Sequence, residues 1–371
     1  MPGHKTSTWP LAQAYVLLIA YASLYPFDGW RDQGIAPWAF LHSPWPRWWT
    51  GFDLASNVAG YAPLGFLLAL AGMRRSAGAT PAPAHALAAA VAGGALLSFA
   101  MESLQTYLPR RVPSNLDFGL NVLGTLLGAL LALGLERGGA IDHWSRFRER
   151  WFVAHARGAL VLLALWPFAL LFPAAVPLGL GQVFERLEAA LADWLLDTPF
   201  LEWMPVREME LQPLVPGVEM FCVALGVLVP VLLGHSIVRS PGRRAALAAG
   251  VLVTGIGATA LSAALSWGPN HAWAWMSQPV RVGLVAGFVI SLALLPVPRR
   301  GCAVLLLVTL CVHLSLLNQA PASAYFSITL QGWEQGRFIR FHGVAQWLGW
   351  TWPFAALAYV VLRLSRPDPP E

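Results

Sequence analysis

The sequence predicts an all-α fold, a polytopic transmembrane helical bundle of about ten spans with both termini cytoplasmic, and three observations carry that reading. The first is composition: the 371 residues are 57% hydrophobic and 12% charged, with mean hydropathy +0.56, too apolar for a domain whose surface faces water. The second is segment length. A hydrocarbon core about 30 Å thick needs roughly 20 apolar helical residues per crossing. Such stretches occur near 11–27, 54–72, 84–108, 116–135, 158–178, 218–238, 245–266, 282–296, 302–317 and 344–364, the first and eighth of them short.

The third observation is charge placement, since basic residues are retained in cytoplasmic loops. With both termini inside, Lys5, Arg74, Arg75, Arg137, Arg146, Arg148, Arg150, Arg157, Arg239, Arg243, Arg244, Arg299, Arg300, Arg363 and Arg366 face the cytoplasm, which leaves nine of the 24 basic residues outside. The acidic residues Glu185, Glu188, Asp193, Asp197, Glu202, Glu208 and Glu210 all fall in one outer loop. Retention signals account for the net charge of +5, and no Lys/Arg-rich run points to nucleic acid as a partner.

The first stretch is followed by Tyr25-Pro26-Phe27-Asp28 instead of a small-residue cleavage site, so it reads as an uncleaved span. The loop after it carries Trp30, Trp38, Trp45, Trp48 and Trp49. They suit an aromatic belt at the membrane interface, or stacking on a sugar. Spans two and four open on the same pattern: Asp53, Asn57 and Gly60 in one, Asp117, Asn121 and Gly124 in the other, both Asp-x-x-x-Asn-x-x-Gly. Spacings of four and three place each trio on one helix face, Gly128 extends that face, and Gly65 lies near the matching line, so these helices can approach neighbours closely. Both copies run in the same direction, a parallel repeat and not the inverted repeat typical of transporters.

Span three ends in Glu102 and Gln105, which share a face, followed by a turn holding Pro109, Arg110, Arg111 and Pro113. Ser114 or Asn115 is placed to cap the next helix. Two arginines in a short outer turn run against the positive-inside bias and need a reason. A structural reason is that they neutralise Glu102, Asp53 or Asp117, each costing about 2.5–3.5 kcal/mol if charged at mid-membrane. A functional reason is that the same groups form an outward site. There an arginine fork binds phosphate or carboxylate, a carboxylate accepts a proton or orients a hydroxyl, and Asn57 and Asn121 hold a ligand or a neighbouring helix.

The basic segment 136–157 links this part to six further spans. Trp144, Phe147, Trp151 and Phe152 among its arginines predict a helix on the cytoplasmic leaflet. In the loop 182–217, Phe184, Leu187, Leu191 and Trp194 recur at helical spacing opposite Glu185, Arg186, Glu188 and Asp193, which predicts an amphipathic helix on the outer surface. Cys222, Cys302 and Cys311 lie in predicted spans as small buried hydrophobes, with no disulfide framework and no metal or redox motif. His235 and His313 lack metal-ligand spacing and read as packing residues. Gly255 and Gly257 have no strand before them and make no nucleotide fingerprint. The last outer loop gathers Asn318, Gln319, Tyr325, Phe326, Gln331, Trp333, Glu334, Gln335, Arg337, Phe338, Arg340, Phe341 and His342, a mixture suited to a saccharide, a lipid phosphate or plain interfacial packing.

These residues carry a family resemblance. Glu102-x-x-Gln105, the arginine turn, Ser114-x-x-Asp117, Asn121-x-x-Gly124 and Gly128, preceded by Asn57-x-x-Gly60-x-x-Pro63-Leu64-Gly65, resemble the VanZ-like membrane proteins, named for a protein associated with teicoplanin resistance. The resemblance covers residues 11–135 and implies an envelope-associated membrane module whose biochemical activity is unsettled. It supplies no catalytic residue. The chain departs from a minimal member by six added spans, a longer form associated with bacterial exopolysaccharide and surface-protein systems. The domains are therefore 11–135, a VanZ-like four-helix membrane domain; 136–157, a basic linker; and 158–366, a six-span membrane region.

The functional expectation is a multi-pass protein of the bacterial cytoplasmic membrane that binds a lipid-linked or glycan ligand at its outer face. The candidate residues are Glu102, Gln105, Arg110, Arg111, Ser114, Asp117, Asn121, Asp53 and Asn57; membrane lipid and a lipid-linked saccharide or cell-surface glycan are the partners, with no cofactor and no metal. An alternative is a glycosyl or phosphoglycosyl transferase acting on a polyprenyl phosphate, with Asp28, Asp32, Asp53 or Glu102 as base. A transporter ranks third, because no acidic or basic residue continues the cluster into the inner halves of spans two to four.

Overall fold

The computed structural model describes residues 8–25, 27, 29–46, 49, 51–74, 83–154, 156–203, 211–321 and 339–365. Asp28, Trp48, residues 322–338 and the side chains of Arg340, Phe341 and His342 lie outside the described residues. Among those described, the chain forms twelve α-helices and no strand, with a single antiparallel bridge between Phe152 and Val238. The helices are α1 (Thr8–Leu24), α2 (Gly51–Arg74), α3 (Pro83–Gln105), α4 (Asn115–Arg137), α5 (Ala140–Trp151), α6 (Arg157–Ala169), α7 (Phe184–Leu195), α8 (Pro216–His235), α9 (Pro241–Trp267), α10 (Gln278–Ala293), α11 (Arg299–Leu317) and α12 (Ile339–Leu364).

Each of the ten predicted apolar stretches falls on a helix. Among the described residues α2, α3, α4, α8, α9 and α11 are long and apolar enough to cross a membrane, while α1, α6 and α10 are shorter apolar helices. One boundary is corrected. Hydropathy predicts a single helix over 158–178, but α6 stops at Ala169, after 13 residues and about 20 Å of rise. Pro167 lies in its last turn, and Pro173, Pro177, Gly179 and Gly181 come soon after, so the backbone cannot continue as a helix. Hydrophobicity there reflects burial of irregular chain. A second correction concerns Cys311: Cys222 and Cys302 are buried, but Cys311 is exposed on the outward face of α11. Both amphipathic segments form helices, α5 and α7, as their periodicity predicts.

The chain divides into two compact units between Arg146 and Phe147. In the N-terminal unit α2 and α4 pack in parallel, since Gly124 faces Val58 and, one turn on, Gly128 faces Ala62. A Cβ on Gly128 would lie 1.8 Å from the Ala62 carbonyl oxygen, and one on Gly65 would lie 1.9 Å from that of Thr125. The two backbones are therefore in direct contact, which only glycine permits. On α3, Gly94 leaves room for the Thr125 side chain, 2.3 Å from where a Cβ would sit. Ile19, Leu24, Tyr61, Leu64, Met101 and Leu108 form the core at one level, and Ala69, Leu70, Ala90, Ala129 and Ala132 at another.

The C-terminal unit is organised around α8, where residues 222–238 are buried without interruption. It packs against α6, α9, α10 and α11, and α12 packs on α6 and α11. The indole Nε1 of buried Trp352 donates to the Leu162 carbonyl at 2.7 Å. Arginines at this unit's helix ends donate to the carbonyls that terminate helices. Arg363 reaches Ser236 O at 3.1 Å, and Arg244 reaches Leu295 O at 2.9 Å and Val297 O at 2.6 Å. Such carbonyls lack intrahelical partners and carry the negative end of the helix dipole, so a cation is stabilised there.

Candidate functional site

The polar residues singled out from the sequence lie at the end of the N-terminal unit where α2 and α4 begin and α1 and α3 finish. The geometry starts with the cap of α4. Ser114 has an extended backbone, and its Oγ accepts from the N–H groups of Leu116 at 3.2 Å and Asp117 at 3.3 Å, so Ser114, and not Asn115, is the N-cap. The Ser114 N–H in turn donates to Glu102 Oε2 at 2.9 Å. Glu102 is only 4% exposed, and this bond ties the last turn of α3 to the first residue before α4. Asp117 Oδ1 accepts from Asn57 Nδ2 at 2.7 Å, which carries the chain of contacts across to α2. Four predicted residues, Glu102, Ser114, Asp117 and Asn57, thus form one continuous network.

Other candidates serve α1. Gln105 Nε2 donates to Ser23 O at 3.0 Å, and the Arg111 guanidinium donates to Tyr25 O. Both carbonyls sit at the C-terminal end of α1, where the dipole is negative and no intrahelical donor remains. Arg111 therefore has a structural reason to stand in the turn between α3 and α4. Asn121 lies deeper: its Nδ2 donates to Ser98 Oγ at 3.0 Å, and Thr125 Oγ1 donates to the Asn121 carbonyl at 2.9 Å. Asp53 is half-buried in the first turn of α2, its carbonyl accepting from Ser56 Oγ at 3.1 Å. Arg110 is exposed on the turn between Gln105 and Ser114. The two copies of the Asp-Asn-Gly pattern thus diverge. Asn57 pairs with the other copy's Asp117, whereas Asn121 pairs with Ser98 of α3.

The connection between α1 and α2 fastens this end further. Gln33 Nε2 donates to Thr106 O at 2.6 Å, the Arg31 N–H to Tyr107 O at 3.0 Å, and Asn115 Nδ2 to Ser43 O at 2.6 Å. Phe40 plugs into the helices with its ring 5.8 Å from that of Phe99 and 6.2 Å from that of Phe118. Asp32 Oδ1 accepts the Gly34 N–H at 2.9 Å and so shapes its own turn. Around this anchored segment Trp30, Trp38, Trp45 and Trp49 are all exposed.

Below the rim, Tyr61, Ser98, Glu102 and Asn121 are each more than nine-tenths buried. Among the described residues, Asn121 Oδ1 has no hydrogen-bond partner, and the Tyr61 hydroxyl lies beside Ser98 and Glu102. A buried amide oxygen of this kind is a natural acceptor for a bound water or a ligand donor. Sequence reasoning missed Tyr61 and Ser98. Ser98 precedes Glu102 by four residues on one helix, a spacing that could have found it. Tyr61 and Phe40 join through tertiary packing alone. No group of three or more His, Cys, Asp or Glu side chains suited to a metal is present among the described residues.

The family model described as VanZ/LLP1 matches residues 5–136, and that part of the chain is a VanZ-like domain. It takes in α1–α3, all but the last residue of α4, and every residue of the network above. No curated protein and no solved structure matches the chain.

Proposed function

We propose that this VanZ-like domain, carried by a multi-pass protein of the bacterial cytoplasmic membrane with both termini cytoplasmic, binds the polar head of a lipid-linked or glycan ligand at the outer end of α2–α4. The role this reading assigns is in envelope or surface-polysaccharide physiology, or in the response to glycopeptide antibiotics. Arg110, exposed on the turn before α4, is the first contact for an anionic group, and Asp53, Asn57 and Asp117 supply further polar groups in the first turns of α2 and α4 at the same end of the unit. The supporting observation is how firmly the turn under Arg110 is held. Glu102, Gln33, the Arg31 backbone and Arg111 fasten residues 106–114 from separate sides, so Arg110 projects from a rigid base. Rigid placement of a few polar groups is what a binding site needs, because ordering them at the moment of binding costs affinity. The exposed tryptophans around the segment suit a sugar face or the lipid interface.

The test is native mass spectrometry of the purified protein. A co-purifying lipid that disappears in Arg110→Ala, while thermal unfolding stays at the wild-type value, supports the reading. Only bulk phospholipid, in equal amount in both proteins, refutes it. Arg110 is the target because it is the more exposed of the two, and loss of Arg111 releases the end of α1.

A further inference from the structure

At one end of the C-terminal unit, the connection between α8 and α9 pairs with the chain at the end of α5. The Val153 N–H donates to Ile237 O at 3.0 Å and the Arg239 N–H to Trp151 O at 3.1 Å, on either side of the bridge between Phe152 and Val238. This pairing brings three arginines together. Arg239 Nε donates to Phe152 O at 3.0 Å, and the Arg243 guanidinium donates to Arg150 O. The Arg243 guanidinium carbon also lies 5.7 Å from the centre of the Trp151 ring, a cation–π contact that orients it. Arg150 and Arg239 are exposed, and Arg243 is half-buried.

The next arginine in the chain is placed differently. Arg244 is 5% exposed and turns inward to the Leu295 and Val297 carbonyls, where it ties helix ends together. Arg239 instead meets Phe152 through Nε, on the flank of its guanidinium. Among the described residues its two terminal nitrogens, the pair that grips a phosphate, have no partner. The bonds made by Arg239 and Arg243 run to carbonyl oxygens, which cancel no charge. Three like charges therefore stand around one short segment, and one anion placed among them relieves every repulsion.

The position selects the kind of anion. α8 and α9 are long and apolar enough to cross a membrane, and the arginines lie at the end the two helices share. From Arg243 the exposed face of α9 continues through Ala246, Gly250, Val253 and Leu261, all uncharged. We propose that Arg239 and Arg243, with Arg150 beside them, bind the phosphate of an anionic phospholipid in the leaflet at this end of the unit, its acyl chain lying along α9. Clustered arginines at the end of a span attract anionic headgroups, and a guanidinium fork matches phosphate oxygens. The site lies wholly in the C-terminal unit and rests on nothing proposed for Arg110.

The experiment uses the full chain in nanodiscs made from equal parts phosphatidylglycerol and phosphatidylcholine, released into the mass spectrometer with bound lipids counted. Selective retention of phosphatidylglycerol is expected, falling about tenfold or more when Arg239→Gln and Arg243→Gln are combined. Those side chains also hold residues 150–152, so a second variant leaves them in place. Gly242→Glu sets a carboxylate next to Arg243, at a position where an added Cβ meets nothing within 4 Å. It should lower retention while the unfolding midpoint stays at or above wild type, since an acidic group is favourable in a helix's first turn. Gly242→Gln should retain the lipid as wild type does. Arg300→Gln removes a charge at the same end of the unit that reaches Leu364 O of α12 instead, and little change is expected. Equal retention of the two lipids by the wild type overturns the site. So does unchanged retention in either the double variant or Gly242→Glu, or a fall in Gly242→Gln as large as in Gly242→Glu. A loss in Arg300→Gln as large as in the double variant would show diffuse attraction to the whole end of the unit, and would overturn it too.

Discussion

In the N-terminal unit α2 and α4 touch through backbone, at Gly65, Gly124 and Gly128, and their polar residues gather at one end. In the C-terminal unit α8 meets α10 through Gly283 and Gly287, against the Met220 and Ala224 carbonyls, and large side chains cover much of the rest of it; the unit's demanding polar groups lie within the fold, along the loop between α6 and α7. Between helices in lipid the hydrophobic effect supplies little, so association rests on packing and hydrogen bonds. The two units divide that work differently. The first relies on the absence of side chains along a seam, which makes it intolerant of added atoms. The second has a similar seam between α8 and α10 but adds one asparagine that serves four backbone groups of buried irregular chain, which makes it intolerant of lost atoms as well.

The largest effect is expected from adding atoms to the seam. Gly128→Val places a Cβ 1.8 Å from a carbonyl oxygen that belongs to rigid helix backbone, so α2 and α4 must move apart. The cost is expected at or beyond the upper end for overpacking, about 3 kcal/mol. Thermal unfolding in detergent should show the N-terminal unit lost or strongly destabilised. A wild-type midpoint would mean that α2 and α4 are not in backbone contact.

Next comes loss of atoms in the C-terminal unit. Asn318 is 8% exposed, accepts the Val183 and Phe184 N–H groups, and donates to the Gly181 and Leu314 carbonyls. Asn318→Leu keeps similar bulk and removes all four bonds. With each unpaired buried group costing about 1–3 kcal/mol before relaxation, a net loss of about 2–4 kcal/mol is expected. Asn318→Asp keeps the two accepted bonds and should fall between. Equal unfolding midpoints for wild type and Asn318→Leu would show that the loop does not depend on this residue. The contrast between the units would then weaken.

Legibility in the sequence divides along the same line. Apolar length and helical periodicity are local properties, so the positions of the spans and of the amphipathic α5 and α7 could be read directly. The same holds for the glycine face at Gly124 and Gly128 and for a cap before α4, though the choice between Ser114 and Asn115 came from the structure. The break in α6 could not be read from hydropathy, because buried irregular chain and buried helix are equally apolar; Pro173, Pro177, Gly179 and Gly181 were the signal, and length outweighed them. The partners of Gln105, Arg111 and Asn318 were hidden for another reason. They are backbone carbonyls or amides, which every residue carries, so only the fold can say which are left over. Arg111, bonded to the carbonyl at the end of α1, is the clearest case.

The smallest effect tests whether the repeated pattern means the same thing twice. Gly60 and Gly124 hold equivalent places in the two Asp-Asn-Gly copies, yet a Cβ on Gly124 would lie 2.3 Å from the Val58 carbonyl oxygen, while one on Gly60 meets nothing within 4 Å. Gly60's carbonyl instead accepts from the Tyr15 hydroxyl at 3.0 Å, a bond that an added methyl group leaves alone. Alanine is favoured over glycine inside a helix by up to about 1 kcal/mol, so Gly60→Ala should be neutral or slightly stabilising. Gly124→Ala should destabilise, because its only relief is separation of the helices. Measured side by side in the same detergent, the two midpoints should move in opposite directions. If Gly60→Ala proved as damaging as Gly124→Ala, the two copies would be structurally equivalent after all. The asymmetry seen at Asn57 and Asn121 would then need another cause.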